Sequence, residues 1–164
     1  LILPDCFAQT INLKEKQKLA KDRQEVELYV GKQAIFTLLY SLVDKATKGD
    51  EYLSFSVGNE HTDPDIATFY ANFTWKRKDK GLKIRVLANE RIREAYTRAY
   101  TKEVLEAINN RFIDFHFPQG IVVLNNIVIM LNWKDKPTAI LLKSKYISHQ
   151  YREFFYELYS KGKS

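Results

Sequence analysis

Apolar and polar positions follow two different rhythms along most of the chain, and the switches between them mark the elements. Up to about residue 25 neither rhythm is present: Phe7, Ile11, Leu13 and Leu19 stand isolated, and Lys14, Lys16, Lys18, Lys21 and Arg23 interleave with Glu15, Asp22 and Glu25. Such a stretch reads as an extended start followed by a charged, solvated helix over residues 12–27, roughly 24 Å long at about 1.5 Å per residue. A helix with so little apolar surface suits a linker or a dimer-forming stalk better than a core element. The chain therefore divides into residues 1–26 and a body of residues 27–164.

Within the body, residues 27–30 read as a short strand ended by Gly31. Ile35, Leu38, Leu39, Leu42, Val43 and Ala46 then fall on one helical face until Gly49. Residues 52–57 alternate Leu53, Phe55 and Val57 with Ser54 and Ser56, the period of two of a strand. Asp63 followed by Pro64 opens a helix whose apolar face is Ile66, Phe69, Tyr70 and Phe73, and Gly81 breaks it. A third strand alternates Leu82, Ile84 and Val86 with Lys83 and Arg85; Asn89 then caps a helix carrying Ile92, Ala95, Tyr96, Ala99, Leu105 and Ile108.

Residues 112–117, 121–124, 127–131 and 138–142 are four strand candidates with no helix between them, which predicts a meander. Asn125-Asn126 supplies one tight turn and residues 134–137 another. A closing helix presents Ile147, Tyr151, Phe154, Phe155 and Leu158 on one face and ends at Gly162. The order β-α-β-α-β-α-β-β-β-β-α predicts the α/β class, a mixed sheet flanked by helices.

Composition narrows the class. At 164 residues, 45% apolar and 28% charged, the chain fits one globular domain. The longest apolar runs, residues 120–124 and 127–131, are far short of the roughly 20 needed to cross a bilayer, and no segment near the start resembles a signal peptide. A soluble cytoplasmic protein without membrane partners is expected. A single cysteine, Cys6, excludes an internal disulfide and a Cys-based zinc site. The chain starts at Leu1 with its one Met at position 130, which reads as a piece of a longer protein. The net charge of +6 favours polyanions without amounting to a dedicated nucleic-acid arm.

Candidate chemistry is sparse. His61, His116 and His149 are the available neutral-pH acid-base groups. His61, Asp63 and Asp65 alternate as ligand-type residues, but Asp63 is already used as the helix cap and nothing supplies a clear third and fourth ligand, so no metal site is assigned and no cofactor is expected. Gly162-Lys163-Ser164 looks like the tail of a phosphate-binding loop yet lacks the earlier glycine and the preceding strand. Helix-turn-helix patterning is absent.

Several segments together resemble a family. Tyr29-Val30-Gly31-Lys32, the amphipathic helix after it, the Ser/Phe strand ending in Gly58, and Lys80-Gly81-Leu82-Lys83-Ile84-Arg85-Val86-Leu87 are similar to the body of archaeal TrmB-type transcriptional regulators. So is the stretch from Phe117-Pro118-Gln119-Gly120 through Asn125-Asn126, Trp133 and Pro137 to Ser148-His149-Gln150-Tyr151-Arg152-Glu153-Phe154-Phe155. The resemblance covers residues 25–160. It implies a phospholipase D-like half-domain joined by a helical linker to a DNA-binding winged helix upstream, and a homodimer paired through the N-terminal helix.

The phospholipase D superfamily carries H-x-K-x-x-x-x-D, in which one His attacks phosphorus, the Lys holds the phosphate and the Asp orients the His. Here His116 is followed at those spacings by Pro118 and Val123, His61 by Asp63 and Thr68, and His149 by Tyr151 and Tyr156. The G-S-x-N element that usually follows would fall on residues 143–146, where only Ser144 agrees. No catalytic residue is assigned.

Two functional readings follow. The first is a non-catalytic regulatory domain that binds a small effector or partner and biases a DNA-binding module outside this chain. Ligands in α/β sheets gather at the carboxyl ends of parallel strands. If the first three strands run parallel, the loops after Val57 and Ala88 open on one edge, which Gly58 leaves unobstructed; Asn59, Glu60, His61, Asn89 and Arg91 would line it. The alternative is a nucleic-acid-binding or degenerate phosphodiesterase module that uses Lys76, Arg77, Lys78, Lys80, Lys83 and Arg85 beside Trp75, cations for phosphate and an aromatic face for stacking. An interaction domain with no small ligand is compatible with the same residues.

Overall fold

The computed structural model describes residues 24–58 and 63–164. In chain order these form β1 (Glu25–Val30), α1 (Lys32–Lys45), β2 (Glu51–Ser56), α2 (Pro64–Asp79), β3 (Lys83–Asn89), a 3-10 turn (Glu90–Ile92), α3 (Arg93–Ala99), α4 (Lys102–Ala107), β4 (Asn110–Ile113), β5 (Gly120–Leu124), β6 (Ile127–Asn132), β7 (Thr138–Lys143) and α5 (Lys145–Lys161). Most of the charged helix predicted over residues 12–27 lies outside the described residues. Its last turn is corrected: Glu25, Val26 and Glu27 pair with Lys143, Leu142 and Leu141, so the body begins at Glu25. Ladder pairing overrides the local charge pattern there.

The strands make one mixed sheet in the order β1-β7-β6-β5-β2-β3-β4, flanked by helices as the α/β pattern predicts. Strands joined through helices lie parallel: β2 beside β3, and β3 beside β4. Such crossovers return the chain in the same direction, whereas short turns reverse it. This corrects the four-strand meander. β4 follows the helical crossover and is not its first strand; the meander is β5-β6-β7. β1 joins its far side, antiparallel to β7. Residues 114–119 cross the carboxyl ends of β3 and β2 rather than extending a strand. Their alternating phenylalanines are explained by packing, since the ring of Phe117 lies 5.2 Å from that of Phe55.

The predicted helix after Asn89 is also interrupted. Tyr100 is extended, at φ −125° and ψ 145°. Thr101 then caps α4 by accepting from Val104 N at 3.4 Å. Other local signals hold. Asp63 accepts from Asp65 N and Ile66 N with Pro64 in the first turn, Ser144 caps α5 through Ile147 N, and Asn125 takes the left-handed conformation in the β5–β6 turn.

Each sheet face has its own core. Ile35 and Leu39 of α1 and Ile66 and Phe73 of α2 are buried against Tyr52, Val122 and Ile129 on one face, with Phe36 stacked on Phe69 at 4.0 Å. On the other, Phe155 of α5 packs among Leu53, Phe55, Leu87 and Val128. α5 is also tied to the sheet by Glu51, whose carboxylate accepts from Arg152 Nη1 at 2.9 Å, Arg85 Nη1 at 3.1 Å and the Tyr156 hydroxyl. Burial alone would raise the Glu51 carboxyl, but Tyr156 and the two guanidinium charges outweigh it and hold it below the usual range. After α5 the chain folds back on β4, where Phe112 and Lys163 exchange backbone hydrogen bonds of 2.7 and 2.8 Å. Among the described residues no helix is long and apolar enough to cross a membrane.

Candidate functional site

Because β2 and β3 are parallel, the chain leaves both at the same edge of the sheet, as expected from the crossover between them. Asn59, Glu60 and His61 lie outside the described residues. Asn89 reaches the edge but is committed: it is 8% exposed, its Oδ1 accepts from Arg91 N at 2.8 Å, and its Nδ2 donates to Phe115 O at 2.7 Å. It caps the 3-10 turn and pins the crossing segment, which corrects its expected role as a ligand contact. Arg91 is exposed. Gly58 does not leave the edge open either, because a Cβ there would meet Ile92 Cγ2 at 2.5 Å.

The concave feature lies beneath that edge, on the helical face carrying α1 and α2. Strand alternation points Tyr52, Ser54 and Ser56 of β2 toward the helices. The small serines at the last two of these positions leave a narrow crevice of about 30 Å³, partly open to solvent. Tyr70, Thr74 and Arg77 of α2 line it from above, Tyr96, Tyr100 and Val104 from the side, and Gly120, Leu131 and Trp133 at the end.

Arg77 is the unusual member. It is 3% exposed, and its guanidinium lies 4.6 Å from the ring centres of both Tyr52 and Phe73. Nε donates to Phe73 O at 3.2 Å and Nη2 to Thr74 Oγ1 at 3.0 Å. Both acceptors are neutral, and among the described residues no carboxylate pairs with it. A guanidinium stays protonated under all ordinary conditions, so its charge is held in the interior with two aromatic faces as its electrostatic support. Beside it the Tyr52 hydroxyl is buried without a hydrogen-bond partner. Burial pushes that hydroxyl up to about 12, against a smaller downward pull from Arg77.

This overturns the grouping of Arg77 with surface cations. The signal was present in the helical phase: Arg77 follows Phe73 by four residues and continues the inward stripe of Ile66, Phe69 and Phe73. Its former companions separate. Lys76 pairs with the Asp44 carboxylate at 2.6 Å, Lys80 donates to Asp44 O at 2.8 Å, and Lys78 lies over Trp75. Lys83 and Arg85 project from the opposite face of the sheet, where Arg85 is engaged by Glu51. The six do not make one surface.

The histidines do not converge. His116 is exposed on the crossing segment, His149 Nε2 lies 3.4 Å from Glu153 on α5, and His61 falls outside the described residues. Asp63 and Asp65 both pair with Lys32, at 2.8 and 3.2 Å. Among the described residues no group of three or more His, Cys, Asp or Glu side chains could hold a metal ion.

No family model matches the chain, and no curated protein matches it. Solved structures share its fold. One is TrmBL2, an archaeal chromatin protein described as showing a novel mode of DNA binding: 16% identity, TM-score 0.62, over 92% of this chain. This chain spans 61% of that one. NucT from Helicobacter pylori is similar at 12% identity and TM-score 0.61, over 86% of this chain and 99% of its own. Nuc from Salmonella typhimurium, a phospholipase D family member, is similar at 16% identity and TM-score 0.55, over 85% and 97%. At these identities the likeness concerns the fold, which is phospholipase D-like.

Proposed function

We propose that this chain is a non-catalytic regulatory domain that binds a small anionic effector in the Arg77 crevice and conveys its occupancy to a DNA-binding module attached through the residues before Glu25. The observation that carries the reading is a buried guanidinium with no carboxylate partner among the described residues, bordering a narrow crevice lined by hydroxyls. Keeping an ion out of water is costly unless an opposite charge and hydrogen bonds compensate. A carboxylate or phosphate in the crevice supplies both: it accepts from the guanidinium and from the Ser54 hydroxyl at its edge. The missing H-x-K-x-x-x-x-D pattern supports the non-catalytic half of the reading. The likeness to a chromatin protein described as binding DNA supports the regulatory half. The dispersal of the six cations disfavours direct nucleic-acid binding, which predicts that single-stranded DNA at low salt gives no steeply salt-dependent binding.

The test is a thermal-shift screen of phosphate, sulfate, small carboxylates, sugar phosphates and nucleotides. A ligand at 100 times its dissociation constant adds about 2.7 kcal/mol to stability. The shift should vanish in Arg77→Met and in Ser54→Val, which narrows the crevice without touching the guanidinium, and persist in Arg91→Ala. A shift lost in Arg91→Ala and kept in Ser54→Val would place the ligand at the strand-end loops. No shift with any oxyanion overturns the proposal.

A further inference from the structure

We propose that β1 is a self-association edge, through which two copies of this chain pair antiparallel about a two-fold axis at Leu28. Gly31 N donates to Pro137 O at 2.8 Å, in register with the Val30–Thr138 pairing that precedes it. Antiparallel strands alternate between residues that bond to a given neighbour and residues that bond away from it. Residues 25, 27 and 29 therefore bond toward β7, and the N–H and C=O groups of Val26, Leu28 and Val30 point outward. Among the described residues no strand covers them. β1 has no proline, no lysine and no bulge in its ladder, and its two charged residues, Glu25 and Glu27, are ones whose backbone groups bond toward β7.

The same three residues present exposed apolar side chains. Val26 is 67% exposed and Leu28 65%, and Ile140 of β7 continues the patch beside Leu28. α5 packs on β2 to β6 and leaves this end of the face bare. Open hydrogen-bonding groups and an open apolar face on one short strand match the requirements of an added strand.

What identifies the occupant as a second copy is the sequence EVELYV, whose chemistry is symmetric about Leu28. Centred there, Val26 faces the partner's Val30 and Leu28 faces the partner's Leu28 on the apolar side. On the other side Glu27 faces the partner's Tyr29, and the Tyr29 hydroxyl already donates to Glu27 within one chain. The outward-bonding residues face one another, so the pairing is satisfied along residues 26–30. Neighbouring registers fail: an axis at Glu27 sets Glu27 against the partner's Glu27, a like-charge pair, and an axis at Tyr29 sets Val26 against the partner's Lys32, past the end of the strand. An axis at Val26 sets Glu25 against the partner's Glu27, a like-charge pair. An axis at Val30 sets Leu28 against the partner's Lys32, past the end of the strand.

Sedimentation velocity of the whole chain over a range of concentrations tests this, with circular dichroism to monitor the fold. The expected result is a monomer–dimer equilibrium whose dissociation constant rises at least tenfold in Leu28→Lys, with the melting temperature unchanged at concentrations where both proteins are monomeric, because residue 28 is exposed in the single chain. In a Cys6→Ser background, Leu28→Cys should oxidise to a covalent dimer. Directly hydrogen-bonded strand residues stand about 5.5 Å apart between Cα atoms, within disulfide reach. Val26→Cys alone should not cross-link. A monomer at every concentration, a dimer indifferent to Leu28→Lys, or faster cross-linking through Val26→Cys than through Leu28→Cys overturns the proposal.

Discussion

Replacing Gly58 by alanine tests the packing that seals the strand-end edge. Gly58 sits at φ 86°, and a Cβ built there lies 2.5 Å from Ile92 Cγ2, 2.8 Å from Cδ1 and 2.9 Å from Cβ. Two costs add. The left-handed conformation costs an L-residue about 1–2 kcal/mol, and forcing a methyl group into occupied space costs about 1–3 kcal/mol more. Gly58→Ala should therefore destabilise by about 2–5 kcal/mol in urea unfolding followed by circular dichroism. Because the clash is with one side chain, Gly58→Ala combined with Ile92→Ala should recover the steric part and leave the backbone part. The double variant should then be at least 1 kcal/mol more stable than the sum of the single effects, a coupling outside the usual scatter of about 0.3–0.5 kcal/mol. Additive effects, or a Gly58→Ala cost below 0.5 kcal/mol, would refute the reasoning.

The Glu51 cluster makes part of the stability acid-sensitive. Its carboxyl is lowered from an ordinary value of 4.5, so its contribution is complete above that value and is lost as pH falls through the folded one. Glu51→Gln should cost about 1–2 kcal/mol near pH 7 and flatten the loss of stability between pH 5 and 3, read from urea midpoints. Catalysis supplies the other prediction: the chain should not turn over a bis-aryl phosphodiester. Hydrolysis abolished by His116→Ala would contradict the non-catalytic reading.

Local periodicity carries the elements of this fold because each strand and helix has one buried face. Leu53 and Phe55 alternate with Ser54 and Ser56, and every second residue does point to α5. Long-range pairing is less legible. Nothing within Glu25–Val30 says that its partner is Thr138–Lys143, more than a hundred residues away. Residues 112–117 alternate convincingly, yet only the first two are in a strand; a phenylalanine packed from a crossing segment leaves the same trace as one packed from a ladder. The site was half legible. Ser54 and Ser56 were visible as small polar residues on a buried strand, but their inward direction toward a cation required the phase of α2 to be carried one turn past Phe73. Charge identity pulled Arg77 toward its neighbours Lys76 and Lys78, whereas helical geometry separates them by about 100° each.

The return of Lys163 onto β4 has a consequence for valence. A sheet with two bare margins is a bifunctional unit and, like any such monomer, can grow without limit. Here one margin is occupied by the chain's own backbone at Phe112, so among the described residues the open margin of the sheet is at β1. Joining two monofunctional units exhausts both ends. In the pairing proposed above the product is one continuous sheet of fourteen strands, and the same stroke that extends the ladder terminates it.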